Sequence, residues 1–136
     1  MASIFTKIIN GEIPSYKVAE DENFYAFLDI NPLAKGHTLV VPKKEVNYVF
    51  DLDDQTYIGL FVFVKKISQA INNSVDCIRI GMVVYGLDVP HAHVHLIPIK
   101  GTGNELSFSN PKVKLTPEEF KEIADRIYQE LINLKG

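Results

Sequence analysis

The sequence is poor in the residues that most often signal a chemistry. Its 136 residues hold one cysteine, no tryptophan, two methionines and four histidines. A single thiol excludes an internal disulfide and any zinc knuckle built on paired cysteines, and it fits a reducing cytoplasm. Cys77 sits in the apolar run "CIRIGMVVY" and reads as a small buried hydrophobe. No stretch approaches the ~20 apolar residues of a membrane span. The start, "MASIFTKIINGEIPSYK", has no basic segment leading into a long apolar one, so no signal peptide is expected. A net charge of -3 gives neither a nucleic acid nor an anionic membrane a reason to bind. There is no repeat and no linker. The length suits one domain with one core.

The pattern that remains is α+β. "SIFTKIIN" reads as a short helix capped by Ser3, with Ile4, Phe5 and Ile8 on one face and Gly11 beyond its end. "YKVAE", "FYAFLD" and "HTLVVP" read as strands. A longer helix is expected from Asp53 or Asp54 to about Ile71, stopped by "NNS". "CIRIGMVVY" and "VPHAHVHLIPI" read as two further strands joined tightly through Gly86, and "KGTGNELSFSNPK" as loop. Thr116, Pro117 and Glu119 form a capping box that opens a last helix to about Leu134, with Phe120, Ile123, Ile127, Tyr128 and Leu131 on its apolar face. The expectation is a mainly antiparallel sheet of about five strands with two principal helices. Residues 1–100 would form the main unit, with the loop and helix of 101–136 packed on the same domain.

Tyr57 to Val64 are apolar at every position but Gly59. A helix apolar nearly all round must be covered on more than one side. The last helix can supply one cover, and a second copy of the chain, as a homodimer, can supply another.

Three of the four histidines occupy alternate positions, His91, His93 and His95. On a strand they would share a face, with Ala92, Val94 and Leu96 turned to the core. Imidazoles are poor packing material because each brings two nitrogens to satisfy. A metal is the first functional reading. In an extended strand the outer two Cα atoms lie ~13 Å apart, too far for all three rings to reach one tetrahedral ion unstrained. Two of them with His37 could hold one, which keeps metal as a secondary reading. The alternative needs no metal and no cofactor. A neutral His93 can attack phosphorus through one ring nitrogen while a neighbour fixes the tautomer through the other.

"HAHVHLI" resembles the signature of the histidine triad nucleotide-binding family. "SIFTKIINGEIPSYKVAEDENFYAFLDINPLAKGHTLVVPKKE" resembles the N-terminal half of its nucleoside phosphoramidate hydrolases, and the similarity runs over about residues 3–99. The resemblance implies a HIT-like fold, a homodimer with a continuous sheet, and a hydrolase of nucleoside 5'-monophosphate derivatives. Such an enzyme acts at the α-phosphate through a nucleotidyl-histidine. It implies His93 as nucleophile, His91 and His95 as its orienting neighbours, and His37 as a fourth, supporting histidine. Asp29 would bind the ribose hydroxyls, and Ile4, Phe5, Ile8 and Ile30 would line the slot for the base. His95, where sugar-phosphate transferases carry glutamine, points to water as the final acceptor. Asp88 and Tyr85 stand near positions where relatives carry a hydroxyl and an asparagine, and Pro90 removes a backbone donor there. The rival reading is a purine mononucleotide-binding protein without turnover.

Overall fold

The structure is a computed structural model, and it describes residues 2–135. A short helix, α1 (Ile4–Ile9), precedes three strands, β1 (Lys17–Glu20), β2 (Phe24–Leu28) and β3 (Thr38–Pro42). A single 3-10 turn, Val49–Asp51, leads into α2 (Asp54–Ser74). Then come β4 (Arg79–Val83), β5 (Val94–Ile99) and α3 (Pro117–Lys135). The five strands form one antiparallel sheet in the order β1-β2-β3-β5-β4, so the architecture is the α+β one read from the sequence.

Local chemistry accounts for most boundaries. Ser3 caps α1 by accepting from the Thr6 amide, and Asp53 caps α2 in the same way. The β1–β2 turn closes on Asp21, whose carboxylate accepts from the amides of Asn23 and Phe24. At α3 the capping box is complete: Thr116 Oγ1 accepts from the Glu119 amide, and Glu119 accepts from the Thr116 amide.

The sheet is covered on both faces. On one, α2 and α3 pack over Val18, Phe24, Ala26, Leu28, Val40, Val94 and Leu96. Leu60, Phe63, Val64, Ile67, Ala70 and Ile71 supply the buried stripe of α2. Gly59 is needed there, because a Cβ on it would stand 3.0 Å from the Phe24 ring. On the other face, α1 lays Phe5 and Ile8 over Tyr25, Phe27, Leu39 and Val41. His95 pairs with Leu39 across β3 and β5, so it belongs to this second face.

Five expectations need correction. The long helix runs through "NNS" to Ser74, whose hydroxyl turns back to donate to the Ala70 carbonyl instead of stopping the helix. The strand carrying the histidines begins only at Val94. Residues 89–93 leave the ladder because Pro90 has no amide to donate. The His91 amide then donates to Val89, and the Ala92 amide to Val46 of the β3–α2 connection. Residues 84–93 therefore make an open connection, not a tight one. Tyr128 and Ile4 are exposed, each one position off the buried stripe of its helix. Cys77 is only partly buried and donates to the Asn72 side chain.

Ile58 and Val62 remain exposed on α2, as do Ile78 and Met82 on or beside the edge strand β4. Among the described residues, no helix is long and apolar enough to cross a membrane.

Candidate active site

All four histidines are buried, His91 and His93 with no exposed surface at all. In such a place each ring nitrogen needs a partner, and those partners decide where the protons are. The Leu33 amide donates to Nδ1 of His37 at 3.0 Å. An amide N–H can only donate, so Nδ1 is bare and the proton of His37 sits on Nε2. That proton is donated to Nδ1 of His95, 3.0 Å away. His95 therefore keeps its own proton on Nε2, as the donor it can offer to an oxygen.

The other pair, His93 and His91, is polarised in the opposite sense. Nδ1 of His93 lies 2.7 Å from the His91 carbonyl, which only accepts, so Nδ1 is protonated. Nε2 is then the ring nitrogen left for chemistry, with Oδ1 of Asp88 3.0 Å away. His91 donates from Nε2 to the Pro42 carbonyl at 2.7 Å, and its Nδ1 accepts from the Ser3 hydroxyl at 2.7 Å. Both nitrogens of His91 are thus used inside the chain, and its part is to hold the carbonyl that His93 leans on.

Burial holds three of these rings, His37, His91 and His95, neutral. It pushes His37 down to about 3, reinforced by His95 and Lys112, and His95 down to about 4, reinforced by His93. His91 is lowered as well, again chiefly by burial. Neutral rings are what fixed tautomers require.

Asp29 follows β2. Its Oδ1 accepts from the Asn31 amide at 2.8 Å, the turn contact its sequence context suggests, while Oδ2 lies 3.6 Å from Nε2 of His37. Burial raises its carboxyl group above the ordinary range. Phe5 is buried with its ring edge-on to both His93 (5.0 Å between centroids) and His91 (5.8 Å). Ile8 is core beneath it, whereas Ile4 and Ile30 are exposed. The fold thus gathers His37, His91, His93, His95, Asp29, Asp88 and Phe5 into one cluster.

Ligand atoms of Asp88, His93 and His95 lie within 4.8 Å of one another, and so do those of Asp29, His37 and His95. In both sets the facing atoms already answer each other. His37 and His95 share a proton, and Asp88 pairs with His93, so an ion would have to replace hydrogen bonds rather than satisfy orphaned donors.

A family model described as the HIT domain matches residues 10–102. The chain belongs to the HIT family. An uncharacterized HIT-like protein of Borreliella burgdorferi is 42% identical over an alignment of 132 residues that covers 91% of this chain and 94% of that protein. The adenosine 5'-monophosphoramidase of Schizosaccharomyces pombe is 34% identical over 128 residues, covering 93% of this chain and 96% of that one. A histidine triad nucleotide-binding protein from Sulfolobus tokodaii, described as hypothetical, has the same fold. Its TM-score is 0.86 at 32% identity, covering 96% of this chain and 93% of that one.

Several residues of this HIT protein's site escaped sequence reasoning. Ser3 was legible as a helix cap, but its contact with His91 spans 88 positions. Glu45 binds the Ser3 amide at 2.7 Å and the Thr6 hydroxyl at 2.6 Å, contacts that hold its carboxyl down at about 2. Leu33 and Pro42 act through backbone atoms, which leave no trace in residue type. Phe108 comes from the stretch read as loop and sets its ring 4.8 Å from that of His95. That loop is organised: Glu105 accepts from the amides of Lys100, Gly101 and Thr102, and Leu106 packs onto Gly81 of β4.

The depressed histidines give a pH signature. An unfolded histidine titrates near ~6.5, whereas folded His37 and His95 resist protonation down to about 3 and about 4. Below pH ~6.5 the unfolded chain therefore binds protons that the native one refuses. Stability is complete above that pH and falls as the pH drops, with a limiting slope of ~1.4 kcal/mol per pH unit for each histidine. Urea unfolding at pH 7.5 and 5.0 checks this. Equal stabilities would mean that the rings accept protons in the fold.

Proposed function

We propose that this HIT protein hydrolyses nucleoside 5'-monophosphate derivatives at the α-phosphate through a nucleotidyl-His93 intermediate. The observation that supports it best is the tautomer arrangement. Nδ1 of His93 is anchored on a carbonyl, which leaves Nε2, beside Asp88, as the nitrogen for attack, and His95 brings an N–H donor near it. A nucleophile held by a backbone atom needs no reorganisation at the moment of attack, and a neighbouring N–H can receive charge developing on a phosphate oxygen. The phosphoramidase name of the fission-yeast relative agrees with phosphorus–nitrogen bonds as the target.

In this reading Asp29 accepts from the ribose hydroxyls through Oδ2, which no amide occupies. Phe5, with Ile4 and Ile30, borders the base, and Ile8 supports Phe5 from below. Water is the final acceptor, and the preferred ligand is a purine nucleotide conjugate. A second copy covers the exposed Ile58, Val62, Ile78 and Met82 and pairs along the free edge of β4, giving a homodimer with a continuous sheet.

His93→Ala is expected to lower turnover of a fluorogenic adenosine phosphoramidate by at least about a thousandfold, ~4 kcal/mol. Affinity for the mononucleotide should stay within about tenfold, because only the bond made in the transition state is lost. Near-normal rates would remove His93 as nucleophile. If the wild-type chain binds nucleotide yet turns over no derivative, it is a binding protein instead. Asp29→Ala is expected to weaken nucleoside monophosphate by about 1.5–3 kcal/mol while sparing ribose-free phosphate, as charged hydrogen bonds to two hydroxyls require. Calorimetry with both ligands decides, since equal weakening would leave Asp29 as a turn residue. Sedimentation at micromolar concentration should give twice the chain mass; a monomer would leave the α2 and β4 faces uncovered.

A further inference from the structure

One contact at the mouth of the site is not explained by binding or by packing. His93 is wholly buried, yet its Nε2 lies 3.0 Å from Oδ1 of Asp88, whose side chain is 58% exposed. Nδ1 of the same ring already carries a proton, because the His91 carbonyl can only accept. A bare Nε2 lone pair and a bare carboxylate do not meet at this distance, so one further proton lies between them. Two consequences follow from that proton. Asp88 stands where a phosphorus atom must come, since reacting atoms approach within ~3–3.5 Å before bonding. And Nε2 becomes nucleophilic only when the proton stays with Asp88.

We propose that Asp88 is a catalytic proton carrier. The incoming phosphoryl group displaces it from Nε2, it leaves as the neutral acid, and it protonates the departing amine. The proposal rests on the hydrolase reading above and names the residue that serves its leaving group. Asp88 lies between Gly86, whose φ is +81°, and Pro90, in the open connection ahead of β5. Its other side-chain contact is with the Val89 amide at 3.2 Å. Rotation of one exposed side chain therefore clears the nucleophile without disturbing the sheet. Leaving as the acid also spares the phosphate the repulsion of a second anion.

The steps balance. In the first, the Nε2 lone pair bonds to phosphorus and the bond from phosphorus to the amine nitrogen breaks with its electrons on nitrogen. The amine takes the Asp88 proton, leaving a carboxylate. In the second, a water oxygen bonds to phosphorus, the electrons of the phosphorus–Nε2 bond return to the ring, and the water proton passes to Asp88. The products are a nucleoside monophosphate and a free amine. The His93–Asp88 pair again holds one proton.

The test compares two substrates of the full chain, an alkylamine phosphoramidate of adenosine 5'-monophosphate and its p-nitrophenyl ester. The amine needs a proton to depart and nitrophenolate does not. Because kcat/KM covers only the steps up to departure of the leaving group, it isolates the first transfer. Asp88→Asn keeps the shape and removes the acid. It is expected to lower kcat/KM on the phosphoramidate by about a hundred- to a thousandfold, the ordinary reach of a positioned acid, and on the ester by less than about threefold. With the ester the variant should also release about one equivalent of nitrophenol per site in a burst, since the second step has lost its base. Equal losses on both substrates would make Asp88 a positioning residue, and no loss on the phosphoramidate would return it to solvent; either overturns the proposal alone. Absence of wild-type turnover on both substrates would overturn the hydrolase reading and this proposal together.

Discussion

The site depends on the hydrogen bond from Nδ1 of His93 to the carbonyl of His91. A histidine offers chemistry only from a nitrogen that is not otherwise engaged, and which nitrogen that is depends on what the other one touches. Here the other one touches a carbonyl two residues earlier in the chain, so the choice is made by the backbone. The carbonyl is in turn immobilised, because the His91 ring is tied at one end to Pro42 of β3 and at the other to Ser3 at the start of α1. Three segments far apart in sequence meet to fix one proton.

A second chain of the same kind starts at the Leu33 amide and runs through His37 to His95. Its direction is opposite, and this gives the site both a lone pair and an N–H donor from two chemically identical rings. Burial beneath α1 and within the sheet keeps His37, His91 and His95 neutral. Burial carries an obligation as well. With every buried polar side-chain atom partnered among the described residues, no desolvation penalty is left uncompensated.

The departure of residues 89–93 from the strand matters more than its length suggests. Had the ladder continued back to Val89, the amides of His91 and Ala92 would point at the strands on either side. Instead Pro90 interrupts the pairing, the chain turns, and the His91 ring reaches the cap of α1. Alternation survives the break in pairing: His91, His93 and His95 lie on the Phe5 side, while Ala92, Val94 and Leu96 lie in the core beneath α2 and α3. What the turn adds is the contact of the His91 ring with Ser3.

The sequence by itself determined the elements and much of the cast. Ser3, Asp53 and the Thr116–Glu119 box marked helix starts because capping is a contact of a residue with its next three neighbours. The alternating and 3.6-residue patterns marked the sheet and its covering helices for the same local reason. The spacing of His91, His93 and His95, with His37 upstream, named the candidate groups that the fold gathers. Tertiary structure decided what those groups do. Glu45, Leu33, Pro42 and Phe108 joined the site, and Ser3 gained a second role, through contacts with partners far along the chain, several of them backbone atoms common to every residue type. Proton positions belong to this second class. They are set by donors and acceptors that meet only when β3, α1 and the turn before β5 pack together, and no local pattern of residues encodes such a meeting.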